Sequence, residues 1–143
     1  MIYNVDNLYS KKPEMEGKLC LITGATDGIG KETAKCLAGF NARLILVGRD
    51  QSKGEFVRNE LMTQTGNDQI DIMTADLSNM SSIQKLSEKI NAKYNNLSVL
   101  INNVGALFTK REITEDGFEK TFALNHLGYF LLSKLLLDLL KKN

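Results

Sequence analysis

Four short apolar runs divide the chain, and stretches with helical spacing lie between them. The runs are Leu19 to Ile22, Ala42 to Val47, Ile70 to Ala75 and Leu97 to Ile101. The first and, but for Ser98, the last are apolar throughout, as strands covered on both faces should be. A helix is predicted from Ile29 to Gly39, with Gly39 as its stop signal. A second runs from Gln51 to Thr63, capped by Asp50 and ended by Thr65-Gly66-Asn67-Asp68. A third starts at a cap on Ser78 or Asn79 and reaches Lys93, with Ile83, Leu86 and Ile90 at helical spacing. After the fourth run, a loop from Gly105 to Thr114 leads into a long helical segment. Strand and helix alternate throughout, which predicts an α/β chain: a doubly wound parallel sheet with right-handed crossovers.

The last helix carries a further signal. From Leu131 to Leu140 it is apolar on more than one face, so burial on two sides is expected. Core packing plus a dimer face, formed by the helix over residues 117–142, accounts for this pattern without membrane contact.

Composition narrows the choice of partners. Lys and Arg number 18 against 17 Asp and Glu, for a net charge of +1. That balance leaves no footprint for nucleic acid or an anionic membrane. The chain has one His, which excludes a His-based metal cluster, and no metal site is expected. Its two cysteines, Cys20 on the first strand and Cys36 on the first helix, are expected to pack in the core. This use of cysteine fits a reducing, cytoplasmic setting. Residues 1–17 form a mostly polar leader without the apolar segment of a signal peptide. No stretch reaches the roughly 18 consecutive apolar residues of a transmembrane helix. Residues 18–143 are the expected domain.

The candidate chemistry begins where the first strand ends. Thr23-Gly24-Ala25-Thr26-Asp27-Gly28-Ile29-Gly30 joins a strand to a helix, the context that a dinucleotide-binding turn requires. Gly24 allows a sharp turn. Gly28 lets the backbone approach a pyrophosphate, and Gly30 lets the helix pack on the strand. The N–H groups and dipole of the helix's first turn then favour phosphate. The second strand ends at Gly48, where many NAD-binding units place a carboxylate for the ribose 2′-hydroxyl, and Arg49 follows. A missing carboxylate beside a guanidinium suits a 2′-phosphate, so NADP is expected over NAD. Asp50 stands next to Arg49 and could instead serve a ribose. Arg49 taken alone is also a solvated loop charge, and Asp76 after the third strand is also a turn residue.

The spacing Gly-x-x-x-Gly-x-Gly, with Thr23 before it, resembles the short-chain dehydrogenase/reductase family. Three further segments resemble that family in order: Asp76-Leu77, Asn102-Asn103-Val104-Gly105, and Asn125 within Phe122 to Gly128. Asn125-His126-Leu127-Gly128-Tyr129-Phe130 and Arg111-Glu112-Ile113-Thr114-Glu115-Asp116-Gly117-Phe118 are similar to its retinol-dehydrogenase-like, multisubstrate branch. The resemblance implies a Rossmann-type sheet in the order 3-2-1-4, with a fifth strand beside the fourth. It makes Thr23, Gly24, Thr26, Asp27, Gly28, Ile29, Gly30 and Arg49 cofactor contacts. It implies that Asp76 meets the adenine amino group and that Leu77 packs on the ring. Asn102 and Asn103 would tie neighbouring strands, and the backbone through Val104 and Gly105 would lie along the cofactor, with Val104 adding bulk there. Some NADP-preferring members carry a basic residue where this chain has Asp27. Asn125 would be the one catalytic-type residue, bending its helix and holding a water near a lysine. His126 would face elsewhere.

The implied activity is hydride transfer between a nicotinamide cofactor and a carbonyl/alcohol pair, often on apolar substrates. That chemistry uses a Ser and a Tyr-x-x-x-Lys, whose spacing puts Tyr and Lys on one helix face. Four residues after Tyr3, Tyr9, Tyr94 and Tyr129 stand Asn7, Pro13, Ser98 and Ser133, so the motif is not in these 143 residues. The expectation is the cofactor-binding part of a longer oxidoreductase. The alternative is a non-catalytic dinucleotide-binding or interaction module.

Overall fold

The computed structural model describes residues 14–142, so most of the expected leader lies outside the described residues. Four strands, β1 (Leu19–Thr23), β2 (Arg43–Gly48), β3 (Ile70–Thr74) and β4 (Val99–Ile101), form one parallel sheet in the order β3-β2-β1-β4. Leu21 of β1 stands opposite Ile45 on one side and Leu100 on the other. Helices α1 (Gly28–Gly39), α2 (Gln51–Thr65) and α3 (Met80–Lys93) fill the crossovers.

Every residue of β1 is buried, because its alternating side chains enter two separate cores. Cys20 and Ile22 pack with Ala34 and Ala38 of α1 and with Val57 and Leu61 of α2. Leu19 and Leu21 face the opposite way, toward Ile83, Leu86 and Ile90 of α3 and the C-terminal leucines Leu132, Leu136 and Leu139. The sheet is thus covered on both sides.

Local capping chemistry sets the helix ends as the sequence predicts. Asp50 accepts the Lys53 N–H at 2.9 Å and starts α2. Of the two candidates for α3, Asn79 is the cap, accepting the Ser82 N–H at 2.8 Å. Gly66 ends α2 in the left-handed conformation, φ 74°.

Three expectations are corrected. Cys36 is exposed rather than core-packed. The buried stripe of α1 is Gly30, Ala34 and Ala38, and Cys36 lies two residues off that stripe, on the other side of the helix. The fourth strand is shorter than its apolar run, Val99–Ile101, and half-buried, because among the described residues it pairs only with β1.

The C-terminal segment, in turn, is not one regular helix, and it begins at Lys120. It comprises α4 (Lys120–Phe122), a π-helical turn (Ala123–Leu127), α5 (Gly128–Leu135) and α6 (Leu137–Leu140). Leu136, at φ −101° and ψ 3°, separates the last two. Leu132, Leu136 and Leu139 are core, whereas Phe130 and Leu137 are exposed. Among the described residues no helix is long and apolar enough to cross a membrane.

Tyr94, at the end of α3, donates its hydroxyl to Asp71 of β3, whose other oxygen lies 2.8 Å from Lys93. Burial, reinforced by the bond to Asp71, holds the Tyr94 phenol well above its ordinary range. Burial opposes ionisation of Asp71, but the hydrogen bonds from Lys93 and Tyr94 outweigh it and the carboxyl sits low. A raised acid favours the fold below its unfolded pKa, and that contribution is lost as pH climbs past it. Stability should therefore fall above about pH 10, the ordinary tyrosine value. Asp71 acts at the other limit, where stability drains as pH falls below about 4. Melting temperatures across pH 3–11 should show both limbs, and Tyr94→Phe should shrink the alkaline one. An unchanged alkaline limb would refute this assignment.

Candidate nucleotide-binding site

The segments that leave the four strands converge on one cleft of about 290 Å³. Gly24, Thr26 and Asp27 follow β1, and Gly48 and Arg49 end β2. Asp76, Leu77 and Ser78 follow β3, while Val104, Gly105 and Ala106 follow β4. The strand order reverses here: the chain runs outward from β1 through β2 to β3 and then crosses back to β4 on the other side of β1, leaving the crevice in which open α/β sheets bind ligands.

The turn after β1 is held from beneath. Thr23 is fully buried, and its hydroxyl oxygen accepts the N–H groups of Asn103 at 2.9 Å and Val104 at 3.1 Å. The Asn103 amide in turn donates to the carbonyl oxygens of Thr23 at 2.9 Å and Gly24 at 3.3 Å. A Cβ on Gly30 would lie 2.3 Å from the Gly24 oxygen and 2.4 Å from the Asn103 amide nitrogen, so α1 starts as close to the strand as backbone allows. Gly28, at φ 49°, differs: nothing lies within 4 Å of where its Cβ would be. A Cβ on Gly24 would likewise lie 2.9 Å from the Val104 Cα, so two of the glycines make room for protein and the third leaves open space.

The end of β2 carries no side chain, and Thr26 packs beside it. A Cβ on Gly48 would lie 2.8 Å from the Thr26 methyl. A side chain there would have to displace the Thr26 methyl. Asp50 has one oxygen committed to capping α2, and Arg49 stands exposed in the cleft wall. Asp76 accepts both the N–H and the hydroxyl of Ser78, at 2.9 Å and 2.7 Å, which shapes the turn after β3. Leu77 is buried beneath it.

The two asparagines after β4 part company. Asn103 binds the glycine turn, whereas Asn102 donates to the Ser133 hydroxyl at 3.1 Å, tying the strand to α5 rather than to a neighbouring strand. Neither lines the cleft; Thr23, Gly28, Ile29 and Gly30 do not line it either. Val104 packs against the core as well as forming cleft wall.

Asn125 sits in the π-helical turn. Its side chain grips the backbone of Ala106, donating to the carbonyl oxygen at 2.9 Å and accepting the N–H at 3.1 Å. One turn on, the Tyr129 hydroxyl donates to the Val104 carbonyl oxygen. Burial raises the Tyr129 phenol above its ordinary range, keeping it a donor. These two side chains fasten the cleft wall to the C-terminal helices. The Asn125 amide thus holds a loop. His126 is exposed and stacks on Phe122, centroids 5.1 Å apart. Among the described residues no group of three or more His, Cys, Asp or Glu is placed to hold a metal ion.

A family model described as short chain dehydrogenase matches residues 18–143. The chain belongs to this family. Human retinol dehydrogenase 11 is 46% identical over 130 residues, covering 91% of this chain and 41% of that protein. Human polyprenol dehydrogenase is 41% identical over 131 residues, covering 92% of this chain and 40% of that protein. Among solved structures, the RhlG/NADP active-site complex of Pseudomonas aeruginosa aligns with a TM-score of 0.77 at 26% identity, covering 92% of this chain and 52% of that one. This short-chain dehydrogenase sequence therefore spans about two fifths of the length of the curated relatives it matches.

The sequence pattern overlooks three charged or aromatic residues of the short-chain dehydrogenase cleft: Lys53, Phe108 and Lys120. Lys120 lies 4.7 Å from the centroid of the Phe108 ring and 2.6 Å from Glu112. Lys53 is 2.7 Å from Asp27. Its one sequence signal is the distance from Arg49, four positions away across the helix cap.

Proposed function

We propose that residues 18–143 form the NADP(H)-binding unit of an oxidoreductase that interconverts a carbonyl and an alcohol on an apolar substrate. The observation that carries the cofactor preference is the end of β2. No side chain stands at Gly48, where a ribose-binding carboxylate would be, the Thr26 methyl lies over that position, and Arg49 in the cleft wall offers a fork for phosphate oxygens. The open space over Gly28, beside two glycines whose space is filled, suits a pyrophosphate at the start of α1.

When bound, the nicotinamide would supply or accept the hydride. This chain's own residues bind and orient. Asp76 and Leu77 form the adenine end, Arg49 the 2′-phosphate end, and Val104 to Ala106 the wall that Asn125 and Tyr129 hold in place. The proposal assigns the proton-transferring Tyr and Lys to residues outside these 143. An apolar substrate is supported by relatives whose names specify retinol and polyprenol.

The test is a nucleotide titration of Arg49→Ala. NADPH should bind about tenfold more weakly, the scale of one charge-assisted contact, with NADH changing less than about twofold. Equal weakening of both, or of neither, would overturn the NADP assignment.

A further inference from the structure

Two walls of the cleft are joined by residues that do not line it. Between β4 and α4 the chain forms a small hairpin. Ile113 bridges Glu119, the Thr114 N–H donates to the Phe118 carbonyl oxygen at 2.8 Å, and Gly117 turns the tip at φ 83°. Asp116, at that tip, reaches the first turn of α3, where its Oδ2 accepts the Met80 N–H at 2.9 Å. Glu115 beside it accepts from the Asn79 side-chain amide at 3.2 Å. The Met80 N–H is one of the donors that a helix start leaves unpaired, and the helix dipole favours a carboxylate there. Asp116 and Met80 are 36 positions apart in sequence, and neither lines the cleft.

We propose that Asp116 is a positioning residue for nucleotide binding: its hydrogen bond to Met80 sets the width of the cleft at the adenine end. This role rests on the proposed binding of NADP(H), with its adenine at Asp76 and Leu77. With the bond made, the wall carrying Phe108 and Lys120 is held to the turn after β3. With it broken, the rim spreads and bound nucleotide leaves faster.

Each end of the bond is tied to a cleft wall. On the α3 side, Asp76 donates its N–H to Ser82 Oγ at 2.9 Å, and its carbonyl oxygen accepts the Asn79 N–H at 3.2 Å. The turn after β3 therefore moves with the first turn of α3. On the hairpin side, the Lys120 N–H is held by the Glu112 carbonyl oxygen at 2.9 Å and its ammonium by the Glu112 carboxylate. The same ammonium stands over the Phe108 ring. Deeper in, packing fixes the two walls. A Cβ on Gly128 would lie 2.4 Å from the Leu77 carbonyl oxygen, so α5 and the turn after β3 meet backbone to backbone. The cleft is thus fixed at its floor by packing and at its rim by an exposed, charge-assisted hydrogen bond, the part most easily opened.

The test measures binding of NADPH and of adenosine 2′,5′-bisphosphate, the adenine end of that cofactor alone, to the full-length protein. Asp116→Ala removes the acceptor, and Asp116→Asn keeps one. Tyr94→Phe removes a hydrogen bond outside the cleft and is the reference for lost stability. Asp116→Ala should weaken both ligands alike by about threefold to tenfold, the scale of one exposed charge-assisted contact, through faster dissociation. Asp116→Asn and Tyr94→Phe should stay within about twofold of the unaltered protein for both ligands. If the unaltered protein binds NADPH and Asp116→Ala binds both ligands as well as it does, the NADP(H) reading stands and the role of Asp116 is overturned. Equal weakening by Asn and Ala would show that the hydrogen bond is not what matters, and equal weakening by Tyr94→Phe would reduce the effect to stability. Weaker NADPH with unchanged adenosine bisphosphate would place the effect away from the adenine end. Each of these three results overturns the role as well. If the unaltered protein binds neither ligand, the proposed function falls and this role falls with it.

Discussion

Gly30→Ala should abolish measurable nucleotide binding and lower the melting temperature by about 10 °C. One added methyl is enough because its neighbours cannot yield. The new Cβ would lie 2.3 Å from the Gly24 carbonyl oxygen, which is backbone, and 2.4 Å from an Asn103 amide that is held by two carbonyl groups. Helix α1 would have to lift from β1, pulling on the turn whose shape defines the cleft. Overpacking costs about 1–3 kcal/mol, and backbone neighbours put this case near the top of that range. For a domain of this size that is a shift of about 10 °C. Gly39→Ala is the matched control. It sits at the end of the same helix with nothing within 4 Å of a Cβ and should raise stability by up to about 1 kcal/mol. A Gly30→Ala protein with unchanged melting and nucleotide affinity would refute the role given to this contact.

Thr23→Val should destabilise the protein by about 3 kcal/mol in denaturant titration, with little change in m-value. The side chains are nearly the same size, so packing survives and the lost hydroxyl dominates. That oxygen accepts two backbone N–H groups, from Asn103 and Val104, and is fully buried. Each buried donor left unpaired costs about 1–3 kcal/mol. Thr23→Ser keeps the acceptor and loses only a methyl, so it should recover most of the loss. Equal stability of the Val and Ser variants would show that the hydroxyl does not organise the segment after β4. The loop from Val104 to Ala106 is anchored on its other side by Tyr129 and Asn125, so nucleotide affinity should fall in Thr23→Val as well.

Much of the scaffold was legible because its signals are local. The uninterrupted apolar run at Leu19 predicts a strand covered on both faces, and β1 is buried on both. Caps are decided within three residues of the helix start, so Asp50 could be read directly and the cap of α3 narrowed to Ser78 or Asn79, of which the structure selects Asn79. The glycine spacing and its strand–turn–helix context pointed to the correct family, and the sheet order β3-β2-β1-β4 is the one that this resemblance implies.

The details that went unread all depend on residues far apart in sequence. Cys20 and Cys36 look alike in composition, yet one is buried and the other exposed. The face that a helix turns to the sheet is set by packing, and composition does not reveal it. Asn102 and Asn103 are neighbours with opposite destinations, because successive residues leaving a strand point to opposite faces. The final apolar segment suggested one continuous helix, but its regularity breaks at the π-helical turn and again at Leu136.

The amino-acid sequence by itself determined the α/β alternation, the helix caps and the dinucleotide-type turn, since each arises from side-chain period or backbone sterics over a few residues. Only the tertiary structure decided what packs beside Gly48, what Asn125 holds and where Lys53 reaches. Thr26 meets Gly48, Asn125 meets Ala106, and Lys53 meets Asp27, across 22, 19 and 26 positions. Such contacts exist only once strand register and crossover packing have brought separate segments to one end of the sheet.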